Sequence, residues 1–321
     1  MDIRESQRRS VERLKKFIKE SPLPVMQEVR ASTQTVFAHL PENPYLEDGR
    51  PVVVQTHTSG NLKGDIVRLM DALGGFDKAL QPGDRILLKP NCNSPDPPPA
   101  STDVEFLAAV AETLQDYGYK DLTVGDSSGV PWHPTMDCFN KMGLAQRMEA
   151  LGVRVLSFDT VPWTEVLIGG EFFQSVCLPE ALTEFDKIIY LPCLKTHQVA
   201  RFTASLKLSV GFLHPAERPV KLHDGEVEKK VAELALAVRP DLILLDARCV
   251  FISRGPWDGE RAHPGLLMAS GDQVATDVEG VKHLQSYPAE NFLDRDAWEL
   301  PQIQHAVSLG IGSTGYVLRK V

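Results

Sequence analysis

The sequence predicts an α/β fold with a mostly parallel, Rossmann-like sheet flanked by helices. Two observations carry that expectation. Short apolar runs of strand length recur at 51–56, 85–89, 122–125, 153–158, 188–191, 241–247 and 265–270, and most of them end at Gly, Pro or Asp. Between them lie stretches whose apolar residues repeat at helical spacing. Strands that alternate with helical patterns imply βαβ units and a parallel sheet.

Before the first of these runs, residues 1–48 read as an N-terminal helical arm. Val11, Leu14, Phe17 and Ile18 fall at helical spacing, Ser21-Pro22 and Pro24 end that helix, and a second is expected over 26–40. The arm is expected to pack on the body or on a second copy of the chain, which makes it the candidate route to a homo-oligomer. The body, 49–321, begins with the first strand. The helix over 60–75 turns Ile66, Leu69, Met70 and Leu73 inward. After the strand at 85–89 comes a stiff loop, 92–101, with four prolines. Thr102-Asp103 then caps a helix that buries Phe106, Leu107, Val110 and Leu114. A single helix is expected over 135–151. Gly169-Gly170 reads as the turn of a hairpin inserted in a small subdomain near 159–183. Helices over 226–238 and 273–284 follow, and the last 35 residues read as a peripheral helix with a Gly-rich end.

Composition narrows the partners. With 34 Lys and Arg against 43 Asp and Glu the net charge is −9. That balance argues against a broad nucleic-acid surface, which needs clustered cations, but leaves room for a local basic pocket. The five cysteines, Cys92, Cys138, Cys177, Cys193 and Cys249, are scattered with no C-x-x-C, so neither a disulfide framework nor an intrinsic iron–sulfur cluster is expected. No apolar run reaches the ~18 residues of a membrane span, and the charged first twenty residues do not read as a secretory signal. The expectation is a cytoplasmic protein with no membrane partner.

Five strand ends carry polar groups: Lys89-Pro90-Asn91, Asp126-Ser127-Ser128-Gly129, Lys195-Thr196-His197, Asp246 with the loop Gly255 to Gly259, and Gly271-Asp272 with Asp277. In a parallel sheet such ends share one edge and line one cleft. Lys89, Lys195 and Lys207, with Arg201 nearby, suit a small anionic ligand. Asn91, Ser127, Ser128, Thr196, Gly255 and Gly259 supply hydrogen-bonding or close-approach positions around it. His197 and Asp126 are the candidate acid–base groups, and Asp246 an orienting carboxylate. His197 and Asp126 are also the candidate ligands if a divalent metal assists, although no ligand spacing argues for one. Neither G-x-x-x-x-G-K-[ST] nor G-x-G-x-x-G occurs, so ATP and NAD have no support, and G-x-S-x-G is absent too.

Taken in order, Arg85-Ile-Leu-Leu-Lys-Pro-Asn, Val124-Gly-Asp-Ser-Ser-Gly, Leu191-Pro-Cys-Leu-Lys-Thr-His with Thr203 and Leu206-Lys207, Gly255-Pro-Trp-Asp-Gly and Asp272-Gln-Val-Ala-Thr-Asp277 resemble the domain-of-unknown-function 362 family over about residues 51–285. The resemblance implies an α/β fold and a shared site at these motifs, and no particular reaction. Many relatives carry an appended ferredoxin-type module that this sequence lacks, and Leu208 stands where relatives tend to place Asn. The function expected is an enzyme acting on a small phosphate- or carboxylate-bearing metabolite. Two alternatives stand beside it: a non-catalytic ligand-binding or assembly protein, and a redox protein served by an external iron–sulfur partner.

Overall fold

The computed structural model of the protein describes residues 3–6, 8–9, 12, 29–30, 38–129 and 133–321. In chain order the strands are β1 (Val29–Arg30), β2 (Leu46–Glu47), β3 (Arg50–His57), β4 (Ile86–Pro90), β5 (Leu122–Asp126), β6 (Arg154–Ser157), β7 (Trp163–Leu167), β8 (Ser175–Pro179), β9 (Lys187–Leu191), β10 (Cys193–His197), β11 (Arg201–Thr203), β12 (Leu242–Phe251), β13 (Arg261–Ala262), β14 (Leu266–Ser270) and β15 (Val317–Lys320). The main sheet runs β15-β3-β14-β12-β9-β4-β5-β6. From β12 to β6 every neighbour is parallel. β14 runs antiparallel to both β12 and β3, and β15 lies parallel to β3. The α/β fold with a largely parallel sheet is as the alternation predicted.

The reversed strand corrects one expectation. Because β14 points the other way, Gly271-Asp272 at its end lies on the opposite edge from the ends of β4, β5 and β9. Asp272 there caps the helix Gln273–Gln285, accepting from Ala275 N at 2.7 Å.

Strand alternation sorts the core into two layers. Ile86, Leu88, Ile189 and Leu191 face the helices Leu62–Leu73 and Val104–Asp116, packing with Ile66, Leu69, Phe106 and Val110. Leu87, Ile188, Tyr190, Ile243 and Leu245 face the other way, toward Leu206, Val231, Val278 and Ile303. Both faces are thus covered, as strands with near-continuous apolar runs require.

Local departures have local reasons. The helix expected over 135–151 is two helices, Thr135–Lys141 and Leu144–Ala150, divided at Gly143, which adopts φ +73°. The Gly-rich end is followed by β15, which adds to the sheet edge beside β3. The hairpin at Gly169-Gly170 forms β7 and β8, and with β1 makes a separate three-stranded sheet. Of the arm, residues 29–30 are extended beside β7 rather than helical. Tyr45 is fully buried and β2 pairs with β3, so the end of the segment belongs to the body. Val11, Leu14, Phe17, Ile18 and most of the span 26–40 lie outside the described residues. Among the described residues no helix is long and apolar enough to cross a membrane.

Two carboxylates tie the hairpin to the body: Glu217 accepts from Cys177 N at 2.9 Å, and Glu233 holds the turn. Glu233, fully buried, accepts backbone N–H bonds from Glu171, Phe172 and Phe173 and lies 3.1 Å from His305 Nε2. Glu233→Ala leaves those donors without a partner and should lower stability by about 3 kcal/mol in equilibrium denaturant unfolding.

Candidate functional site

The site begins where Pro192 separates two strands. β9 lies between β4 and β12, but beyond Pro192 the chain shifts register and β10 pairs with β12 alone among the parallel strands. It then folds back into β11, with Lys195 opposite Thr203, Thr196 opposite Phe202 and His197 opposite Arg201. Lys195, Thr196 and His197 therefore stand on a strand of their own, beyond the end of the apolar run 188–191. Their alternation decides which of them reach the cleft. Lys195, His197 and Thr203 line it, while Thr196 points to the other face and is buried.

The cleft has a volume of about 50 Å3 and opens to solvent. Lys89, at the end of β4, places Nζ 2.6 Å from Asp126 Oδ1 at the end of β5. Both side chains are buried. Asp126 also accepts from Cys92 N at 2.9 Å and Ser127 N at 2.7 Å, so its oxygens are occupied. Burial pushes the Lys89 ammonium down, and Asp126 opposes that shift. Lys195 donates to the carbonyls of Pro99 and Ala100. These belong to the proline-rich loop, a segment rich in carbonyl acceptors and poor in N–H donors.

Arg218 is the residue that sequence reasoning missed. Its guanidinium reaches Ser127 O at 3.1 Å, Ser128 O at 2.6 Å and Leu213 O at 2.9 Å. Burial pushes it down to about 10, despite Asp126 and Asp159. It comes from an irregular segment with no periodicity or motif to mark it. Arg201, expected beside the lysines, instead turns away to Glu228 at 2.9 Å and to Phe292 O, and does not line the cleft.

Lys207 sits on the short helix Ser205–Leu208. The start of that helix is held from behind by Asp277, which accepts from Ser205 N at 2.6 Å and Leu206 N at 3.2 Å. Burial pushes the Asp277 carboxyl up to about 8. Lys207 itself, partly exposed at the cleft wall, is pushed down to about 7 by burial and by the charges of Lys195 and Arg218.

His197 accepts backbone N–H bonds at Nδ1 from Val199 at 3.1 Å and Ala200 at 3.2 Å. The ring proton is therefore on Nε2. Burial, then Lys207 and Lys195, hold its pKa well below the usual histidine range, so the ring is neutral and serves as an N–H donor.

The other predicted residues divide. Asn91 and Ser127 line the cleft, and Ser127 Oγ bonds Asp159 Oδ1 at 2.9 Å. Ser128 is buried beneath it, with its hydroxyl on Cys92 O. Gly255, at φ +66°, packs against Thr196 O with no room for a Cβ, which aims Pro256 and Trp257 at the rim. Gly259 packs on Ser253 O outside the lining. Asp246 also lies outside it, bound at both oxygens by Arg248 at 2.9 and 2.7 Å.

Among the described residues, four cations therefore line the cleft with a single carboxylate, Asp126. A divalent metal does not fit this donor set. His197 Nδ1 and both Asp126 oxygens are already engaged, and the described residues contain no cluster of three His, Cys, Asp or Glu. The arrangement offers donors and positive charge, which suit an anion.

Over residues 86–282, from β4 into the helix Gln273–Gln285, the chain matches the family described as Domain of unknown function (DUF362). It belongs to that family. It is similar to the thylakoid-associated protein sll1697 of Synechocystis sp. (strain ATCC 27184 / PCC 6803 / Kazusa), with 29% identity over 243 residues that cover 73% of this chain and 74% of that one. The DUF362 match contains every charged residue of the cleft.

Removing one partner of a buried ion pair leaves the other charge uncompensated. Asp126→Ala should lower stability by about 3–5 kcal/mol, and the double variant Lys89→Met/Asp126→Leu should recover only part of that loss in the same unfolding experiment, because Cys92 N and Ser127 N still lack their acceptor. Gly211→Ala sets a methyl group against both Lys89 Nζ and Asp126 Oδ1. It should cost about 1–3 kcal/mol, read as a lower thermal midpoint.

Proposed function

We propose that this DUF362 protein is an enzyme acting on a small metabolite that carries a phosphate or carboxylate, bound in the cleft at the ends of β4, β5 and β10. One observation carries the reading: Lys195, Lys207 and Arg218 converge there with no carboxylate among the described residues paired to any of them. Carbonyl oxygens orient Lys195 and Arg218 without cancelling their charge, so the site keeps a positive field in a partly dehydrated setting. An anion entering it gains charge-assisted hydrogen bonds that water would otherwise supply. His197 Nε2 and the side chain of Thr203 add neutral donors.

The acid–base group that best fits is Lys207 rather than His197 or Asp126. A group poised near neutral pH moves a proton at least cost, and Lys207 is at about 7. His197 is held neutral, and Asp126 is committed to Lys89, Cys92 and Ser127.

Calorimetric titration with sulfate, a dianion whose charge is constant across the range, tests the reading. One site should appear. Lys195→Met and Arg218→Met should each weaken it by about 10–100-fold. The pH dependence has a definite sign. Lys207 is charged below its folded pKa and loses that charge as pH rises through 7, so sulfate affinity should fall by about tenfold between about pH 6 and about pH 9, with proton uptake on binding at the upper end. Absence of binding, or variants that bind like the parent protein, would sink the proposal.

A further inference from the structure

The cations of the cleft are not equivalent. Lys89 is committed to Asp126 and the Pro90 carbonyl, Lys195 to the carbonyls of Pro99 and Ala100, and Arg218 to those of Ser127, Ser128 and Leu213. Lys207 lines the same cleft with no hydrogen-bond or ion-pair partner among the described residues. Beside it Thr203, 3% exposed and opposite Lys195 in the β10–β11 register, has a buried Oγ1 that no group among the described residues satisfies. An amine and a hydroxyl left unengaged in one dehydrated cleft, next to oriented cations, form an incomplete set that a bound molecule would complete.

We propose that Lys207 is a nucleophile that forms an imine with the carbonyl group of an anionic ligand held by Lys195 and Arg218. This deepens the reading of the cleft as an anion site and rests on it. The ligand class is a 2-oxo acid, or an aldehyde or ketone that bears a phosphate or carboxylate. The nitrogen lone pair forms the C–N bond while the carbonyl π pair moves onto oxygen. The two nitrogen protons then leave with that oxygen as water, which gives C=N with no change of oxidation state. Thr203 Oγ and His197 Nε2 can donate to the oxygen as its charge develops. The neighbouring positive charges favour the neutral amine, the form with a lone pair to give, and its position at about 7 agrees. The short helix capped by Asp277 fixes where the lysine stem starts.

Reductive trapping decides the matter. The 321-residue chain is treated with glyoxylate and sodium cyanoborohydride, and carboxymethyl-lysine is mapped by peptide mass spectrometry. Lys207 should convert at least about tenfold faster than the exposed Lys78 and Lys320, excess sulfate should slow it, and acetaldehyde, which has no anionic group, should show no such preference. Lys207→Arg, which keeps the charge but removes the nucleophilic amine, should lose the fast-labelled site and the fall of sulfate affinity with rising pH. If Lys207 converts no faster than the exposed lysines while sulfate binds, the nucleophile is refuted and the anion site stands. If sulfate neither binds nor slows conversion at Lys207, the anion site itself is refuted.

Discussion

The buried pair of Lys89 and Asp126 is the interaction on which the rest of the cleft depends. Two charges this deep in the protein are costly to dehydrate, and they persist only where the surroundings satisfy them. Asp126 accepts from Lys89, Cys92 N and Ser127 N at once. The loop after β4 and the turn after β5 are thereby pinned to one carboxylate. Their carbonyls then become fixed acceptors: those of Ser127 and Ser128 for Arg218, and those of Pro99 and Ala100 for Lys195. Gly211 is bare because a side chain there would occupy the space of the pair.

A chain with a net charge of −9 builds a cationic cleft by keeping its carboxylates elsewhere. Glu228 takes Arg201, Asp246 takes Arg248, Glu233 holds the hairpin and Asp277 holds the helix of Lys207 from behind. Carbonyl oxygens position cations through dipoles, which orient without neutralising. Field strength and stability therefore pull in opposite directions here, and Lys207 and His197, pushed down by burial and then by the neighbouring cations, carry the trace of that conflict.

Much of the site was legible because chemistry concentrates at strand ends. Lys89, Asn91, Asp126, Ser127, Lys195, His197 and Lys207 were each picked from the sequence, and all line one cleft. The errors share a cause. Arg201 opens the three-residue strand β11 and Arg218 a single helical turn, segments too short to show periodicity, and nothing local distinguishes the one paired with Glu228 from the one that reaches Ser127 and Ser128. Thr196 and Asp246 sit in or beside the right motifs, but strand alternation and an Arg248 two residues away direct them elsewhere.

The sequence by itself determined the alternation of strands and helices, the apolar faces that bury them and the polar character of their ends, because periodicity and turn residues are properties of neighbours along the chain. Only the tertiary structure decided that β14 is reversed and carries Asp272 to the far edge, and that the chain beyond Pro192 leaves β4 and shifts its register on β12. It alone brought Arg218 to carbonyls about ninety residues away and left Lys207 the one cleft cation without a partner among the described residues. Strand direction, register and long-range pairing depend on which surfaces meet in space, and no local pattern records that.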